Sequence, residues 1–168
     1  MKKIILSICL VFLFLNANSQ EDEKIPKHEI KLNAAYLLAG IPEIGYAHLI
    51  NEESSIGIDL LFNIVGDVEL KFALTPYYRF YFGNDIANGF FVEGFGMLNT
   101  IETETYNGFD VYDYTDETDF ALGFSLGGKF VTNNNFTFEI YGGIGRNLLN
   151  TDSVDFVPRL GVTIGKRF

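Results

Sequence analysis

The sequence predicts an all-β protein, an eight-stranded antiparallel up-and-down transmembrane β-barrel. Three observations predict it. Alternation with period 2 recurs in eight segments, each with one apolar face and one small, polar or charged face. Hydrophobic residues make up 48% of the 168 residues, yet past the N-terminus no uninterrupted stretch is long enough for a transmembrane helix. The chain holds 17 Phe, 9 Tyr and 17 Gly but no Trp, an aromatic- and glycine-rich composition that suits a barrel better than a helical bundle.

Residues 1–19 have the layout of a cleaved signal peptide, with Lys2 and Lys3 before an apolar run from Ile4 to Leu15 and a small-x-small site at Ala17-Asn18-Ser19. Cys9, the single cysteine, would leave with it, so no disulfide or thiol chemistry is expected of the mature protein. Without Lys2 and Lys3, ten basic residues face 22 acidic ones, a net charge of −12 that argues against nucleic acid as a partner. Residues 20–27, charged and containing Pro26, are expected to be a short periplasmic tail, and residues 28–168 the barrel.

The first strand is expected over His28–Leu38, with Lys31, Asn33 and Ala35 on the polar face, ending at Gly40-Ile41-Pro42. The second spans Glu43–Ile50, with Ile44, Tyr46 and His48 on the apolar face. The third, Ser55–Asn63, sets Ile56, Ile58, Leu60 and Phe62 against Gly57 and Asp59. The fourth, Leu70–Phe82, points Phe72, Leu74, Tyr78 and Phe80 outward and Lys71, Thr75, Tyr77, Arg79 and Tyr81 inward, with a local irregularity expected at Pro76. The fifth covers Phe90–Asn99 with Glu93 inward. A long irregular stretch is expected over Thr100–Asp119. The sixth strand, Phe120–Thr132, carries Lys129 inward, and the seventh, Phe136–Asn147, carries Glu139 inward. The eighth, Val157–Phe168, closes the chain with Leu160, Val162 and Ile164 on one face and Arg159 and Arg167 on the other.

A narrow barrel takes small, polar or paired charged residues inside and apolar residues against lipid outside. Lys31, Asp59, Arg79, Glu93, Lys129, Glu139 and Arg159 all fall on the polar faces and are expected to form an interior charge network. If the turns at 83–89 and 133–135 are symmetric, Arg79 opposes Glu93 and Lys129 opposes Glu139. With a periplasmic N-terminus, the turns at 51–54, 83–89 and 133–135 lie on the periplasmic side, and the loops near 39–42, 64–69, 100–119 and 148–155 lie outside.

The segments PEIGYAHLINEESSIGIDL, LTPYYRFYFG, GFFVEGFG and VPRLGVTIGKRF resemble the small eight-stranded outer-membrane barrels of the OmpA/OmpX type. Within that group the chain is similar to a family of unassigned function in Gram-negative bacteria. The resemblance implies an outer-membrane location, contact with outer-membrane lipid, and insertion by the barrel-assembly machinery. The machinery's signal would be the terminal strand, with Leu160, Val162, Ile164 and Phe168. Lys166 interrupts that apolar face, and near the membrane edge it can snorkel.

The acidic stretch 100–119 holds Glu102, Glu104, Asp110, Asp113, Asp116, Glu117 and Asp119 without Lys or Arg. It lacks the ordered spacing of a calcium loop. It reads as solvated charge or, with Tyr106, Tyr112 and Tyr114, as an external surface for a partner. His28 and His48 have no Ser or Asp partner suited to nucleophilic or acid–base catalysis. The glycine-rich runs 142–145 and 161–165 lie within strands and have no helix after them, so they read as room for inward packing rather than phosphate loops. No catalytic residue, cofactor or metal ligand is expected, and the leading function is a non-catalytic structural or surface-interaction role. Two other readings stay open: a soluble lipocalin-like barrel for a small apolar ligand, and a membrane-embedded lipid-modifying enzyme.

Overall fold

The computed structural model describes residues 26–64, 69–106, 112–149 and 155–168. The signal segment 1–19, residues 20–25 of the tail, Gly66-Asp67 and Asp110 lie outside the described residues. The strands are β1 (His28–Asn33), β2 (Glu43–Leu49), β3 (Ser54–Phe62), β4 (Leu70–Tyr81), β5 (Gly89–Tyr106), β6 (Tyr112–Val131), β7 (Phe136–Asn147) and β8 (Phe156–Arg167). Each pairs antiparallel with its neighbours in sequence, and β1 pairs with β8 to close the barrel. Closure leaves no free sheet edge around the wall, which a chain in lipid requires.

The register follows from alternation and short turns. Arg79 opposes Glu93, Lys129 opposes Glu139 and Phe130 opposes Phe138. Outside, apolar side chains cover the wall. Phe80, Phe82, Phe90, Phe130, Phe138 and Phe168 are exposed around the end that carries the tight turns. Phe62 and Phe156 are exposed toward the opposite end, which carries the long connections, and the Phe72 ring packs tilted against that of Phe62 with centroids 5.5 Å apart. Between these girdles lie Ile58, Leu126, Ile140, Leu160 and Val162. This is the distribution of a wall that meets hydrocarbon at mid-height and headgroups at both rims.

Three segments depart from the sequence expectation. First, the strand expected over residues 28–38 stops at Asn33, and Ala34–Leu38 form a short helix, α1. Asn33 Oδ1 accepts from the Tyr36 N–H, an N-cap contact. Gly40, at φ 81°, ends the helix: its N–H donates to Leu37 O and that of Ile41 to Tyr36 O, the paired bonds of a Schellman motif. Capping thus overrides alternation in a segment whose Ala34-Ala35 has little strand preference.

Second, β4 passes Pro76 without a change of register: Leu74 opposes Leu98 and Tyr77 opposes Phe95. The pairing with β5 is nonetheless interrupted at Thr75 and Pro76, and a shift of register that the sequence did not suggest sits at Lys71, between the pairs Leu70–Ile101 and Phe72–Thr100. Third, residues 100–106 and 112–119 are strand rather than irregular loop. Residues 100–106 of β5 and 112–119 of β6 continue the hairpin as a paired ribbon, with Glu102 opposite Asp116 and Tyr106 opposite Tyr112. Thr100, Thr103, Thr105, Thr115 and Thr118, with three tyrosines, supply the strand preference that the charge content conceals.

Candidate functional site

Alternation on eight strands aims every second side chain into the interior, where eleven acidic and basic side chains are buried among the described residues. Lys31 (β1), Asp59 (β3), Arg79 (β4), Glu93 (β5), Glu139 (β7) and Arg159 (β8) form a closed ring of alternating sign. Arg79 Nη2 lies 2.6 Å from Glu93 Oε2, and Glu93 Oε1 lies 2.6 Å from Arg159 Nε. Arg159 Nη2 reaches Asp59 at 2.7 Å, Asp59 faces Lys31 at 3.7 Å, and Lys31 faces Glu139 at 3.5 Å. Arg79 Nη1 closes the ring on Glu139 Oε1 at 2.9 Å. Glu139 touches a third cation, Lys129 of β6, also at 2.9 Å.

From Lys129 the network runs to the turn end through Glu29 (2.6 Å) and on to Arg167 (3.2 Å). Ser125 and Thr137 donate to the carboxylates of Glu93 and Glu29, at 2.7 Å and 2.8 Å. Glu43 accepts from Asn33 at 2.9 Å. Five cations therefore face five carboxylates. A buried charge is tolerated when it is paired, and each of the five cations has a carboxylate oxygen within 3.5 Å.

Aromatic rings fill the remaining volume. The Arg79 guanidinium lies 4.0 Å from the Phe91 ring centroid and 4.8 Å from that of Tyr77, and Arg159 lies 5.1 Å from that of Tyr141. Glycines on the opposing strands make room for these groups. A Cβ at Gly161 would collide with the Tyr141 ring, and one at Gly45 with the Asp59 carboxylate. The small enclosed space at the loop end, between Tyr36, Glu43, Met97 and Arg159, amounts to about 10 Å³. That is room for no more than one water. A larger depression, about 680 Å³, lies on the outside of the wall over Pro76, Gly94 and Gly96.

The turn end is also closed. Ala87, at φ 42°, is fully buried, and the turn carrying it packs on Leu49, Tyr81, Phe91 and Tyr141. Arg167 donates to Ile86 O at 2.9 Å and to Ala87 O at 2.5 Å, and the Ala87 N–H donates to Glu52 O at 2.7 Å. Arg167→Ala is expected to leave these carbonyls unsatisfied at a cost of about 1–3 kcal/mol. Limited proteolysis would then cut within residues 83–88 while the wall stays folded, and an uncut turn would show that Arg167 does not hold it.

At the loop end, Lys71 leaves the inward position that alternation gives it. Its Nζ bridges Glu102 at 2.6 Å and Asp116 at 2.8 Å. Those two carboxylates oppose each other across the ribbon, a repulsive arrangement without the lysine. Asp119 belongs elsewhere: it is buried, and its Oδ1 accepts from the backbone N–H groups of Phe120 and Leu149 at 2.6 Å and 2.9 Å. Glu104 and Asp113 lie in the paired ribbon, Glu117 is paired with Ile101, and Asp110 lies outside the described residues. On β8, Leu160, Val162, Ile164 and Phe168 are exposed on the outside of the wall. Lys166 bends its ammonium to Asn134 O at 2.6 Å, over the Phe136 ring.

The model of a family described as "Protein of unknown function (DUF3575)" matches residues 4–160. The chain belongs to this family. No curated protein matches it. Among solved structures it is similar to the N-terminal β-barrel domain of OprF from Pseudomonas aeruginosa, with a TM-score of 0.63 and 11% sequence identity. The match covers 85% of this chain and 98% of that one. At that identity the likeness concerns the fold alone: both are β-barrels.

The seven interior residues singled out from the DUF3575 chain's sequence come together in one network. The sequence reading did not single out Glu29 and Glu43. The signal was present, since Glu29 shares the face of Lys31, and Glu43 precedes the outward Ile44. The cross-strand pairs Arg79–Glu93 and Lys129–Glu139 were legible, whereas Arg79–Glu139 and Arg159–Asp59 were not, because they join strands that are not neighbours.

Proposed function

We propose that this protein is an integral outer-membrane barrel without catalytic activity, exported with a cleaved signal peptide, which presents the 100–119 ribbon to a partner at the cell surface. The observation that carries the reading is the inverted distribution of polarity. Buried positions hold the charges, and exposed positions hold Ile, Leu and Phe between two aromatic girdles. Water would make such a wall aggregate, and lipid makes it stable. The long connections then lie outside and the tight turns on the periplasmic side. The exposed Leu160, Val162, Ile164 and Phe168 fit a terminal-strand signal for the assembly machinery. The ribbon carries acidic residues and no basic ones of its own, so a cationic surface partner suits it.

Fractionation tests the reading. The protein is expected in the outer membrane, with a folded form that migrates differently from the boiled form in detergent gels. Protease added to intact cells is expected to cut within residues 100–119 and to spare the turns at 51–54, 83–89 and 133–135. Recovery in the soluble fraction would favour the lipocalin-like reading, although the filled interior leaves little space for a ligand. Cleavage at the turns instead of the ribbon would invert the topology.

A further inference from the structure

The chain has two histidines, and the fold places them side by side. His28 on β1 is the direct cross-strand partner of His48 on β2. The Leu49 N–H donates to Lys27 O at 2.8 Å, so residues 27 and 49 form the hydrogen-bonded pair and 28 and 48 the next, non-hydrogen-bonded one. Side chains approach most closely at that kind of pair. The two imidazole centroids are 4.9 Å apart, on the outside of the wall at the turn end.

That spacing matches shared ligation. An imidazole nitrogen binds a first-row divalent ion at about 2.0–2.1 Å, which puts two ring centroids on one ion roughly 4.5 Å apart at a right angle and about 5.2 Å at the tetrahedral angle. The observed separation lies between these limits. His28 is also oriented as metal-bound histidines are. Its Nδ1 is 2.6 Å from the Tyr46 hydroxyl, and its ring stacks on Phe168 at 5.9 Å between centroids. When Nδ1 carries the proton it donates to Tyr46, which leaves the Nε2 lone pair free for an ion. This is the outer-shell arrangement that fixes tautomer and ring direction in histidine–metal sites. Both strands are held by the closed barrel, so little order has to be gained on binding.

We propose that His28 and His48 form a two-imidazole site for a divalent first-row transition ion of the zinc or copper class, with water completing the coordination and Tyr46 orienting His28. The ligand set favours this class over calcium or magnesium, which select oxygen donors. The proposal does not depend on whether the wall meets lipid, because both side chains lie at the rim.

The test is titration of the full chain, made without an affinity tag and folded in detergent, with Cu2+ alone. The expected result is one ion per chain, with an electron paramagnetic resonance spectrum showing hyperfine coupling to two nitrogens. His28→Asn and His48→Asn are each expected to weaken binding at least about tenfold and to leave one coupled nitrogen. Tyr46→Phe is expected to weaken it about tenfold while both nitrogens remain. Heat-modified gel migration reports that each variant has folded. Titration with Zn2+ should raise the thermal midpoint of the parent chain and not that of His48→Asn. Absence of saturable binding, or binding by a folded His28→Asn/His48→Asn double variant equal to that of the parent, would overturn the proposal.

Discussion

Glu139→Gln is expected to destabilise the barrel by about 3–5 kcal/mol, the range for removing one partner from a buried ionic network. Glu139 touches Lys31, Arg79 and Lys129, and all four groups are buried. The amide keeps the shape and can still accept from the Thr163 hydroxyl, which lies 3.0 Å from the carboxylate. What disappears is one negative charge facing three positive ones. The other carboxylates cannot move to replace it, because Glu93 and Glu29 are already engaged with Arg159 and Arg167. The measurement is urea unfolding in detergent micelles, followed by the mobility difference between folded and unfolded forms.

Removing a cation as well sharpens the test. Lys129→Met in the Glu139→Gln background restores charge balance, and Glu29 keeps Arg167 as its partner. The double variant is therefore expected to be more stable than the sum of the single losses predicts, with a coupling on the order of 0.5–3 kcal/mol. Additive losses would mean that the interior is wet enough to screen these charges, and the ring could then not be treated as a dry network.

The barrel was legible in the sequence because period-2 alternation is a direct record of an inside and an outside. Ile56, Ile58, Leu60 and Phe62 face one medium, and Ser55, Gly57 and Asp59 face another, whatever the register. The register itself was legible where turns are tight: the 133–135 turn fixes Lys129 against Glu139 without further information. Three features were not legible by alternation alone. The helix at Ala34–Leu38 depends on its caps, Asn33 and Gly40, and a capped turn of five residues leaves almost no periodic trace. The ribbon was hidden because its acidic residues read as loop while its threonines and tyrosines read as strand, and the pairing of β5 with β6 decided between them. The cross-barrel contacts of Arg79 and Arg159 depend on how far each long side chain reaches across a narrow lumen, which strand pairing does not encode.

Gly143→Ala is expected to be among the most damaging single-methyl additions to the wall, although it adds only one carbon. Gly143 faces inward opposite Ser125 on β6 and Arg159 on β8. An ideal Cβ there would land on the carbonyl oxygen of Phe124 and on Ser125 Cβ, and would sit 2.6 Å from Ser125 Cα. Those atoms belong to the backbone of the adjacent strand or stand next to it, so a side-chain rotation cannot clear the space. The strand has to shift, and Ser125 would carry with it the hydrogen bond that it donates to Glu93 at 2.7 Å. Overpacking a well-filled interior costs about 1–3 kcal/mol and occasionally more, and the loss of that bond adds about 1 kcal/mol. Gly128→Ala on the same hairpin is the internal control. It points outward, and nothing lies within 4 Å of its added Cβ. There the same methyl only restricts the unfolded chain, so a gain of about 0.4–1 kcal/mol is expected. Unfolding midpoints of the two variants under one set of conditions decide the matter. A clear separation, with Gly143→Ala below the parent and Gly128→Ala at or above it, follows only if β6 and β7 meet as described and the inner face is packed to contact. Equal midpoints would mean that the interior gives way freely at Ser125, and the ring around Glu93 would then be looser than its distances indicate.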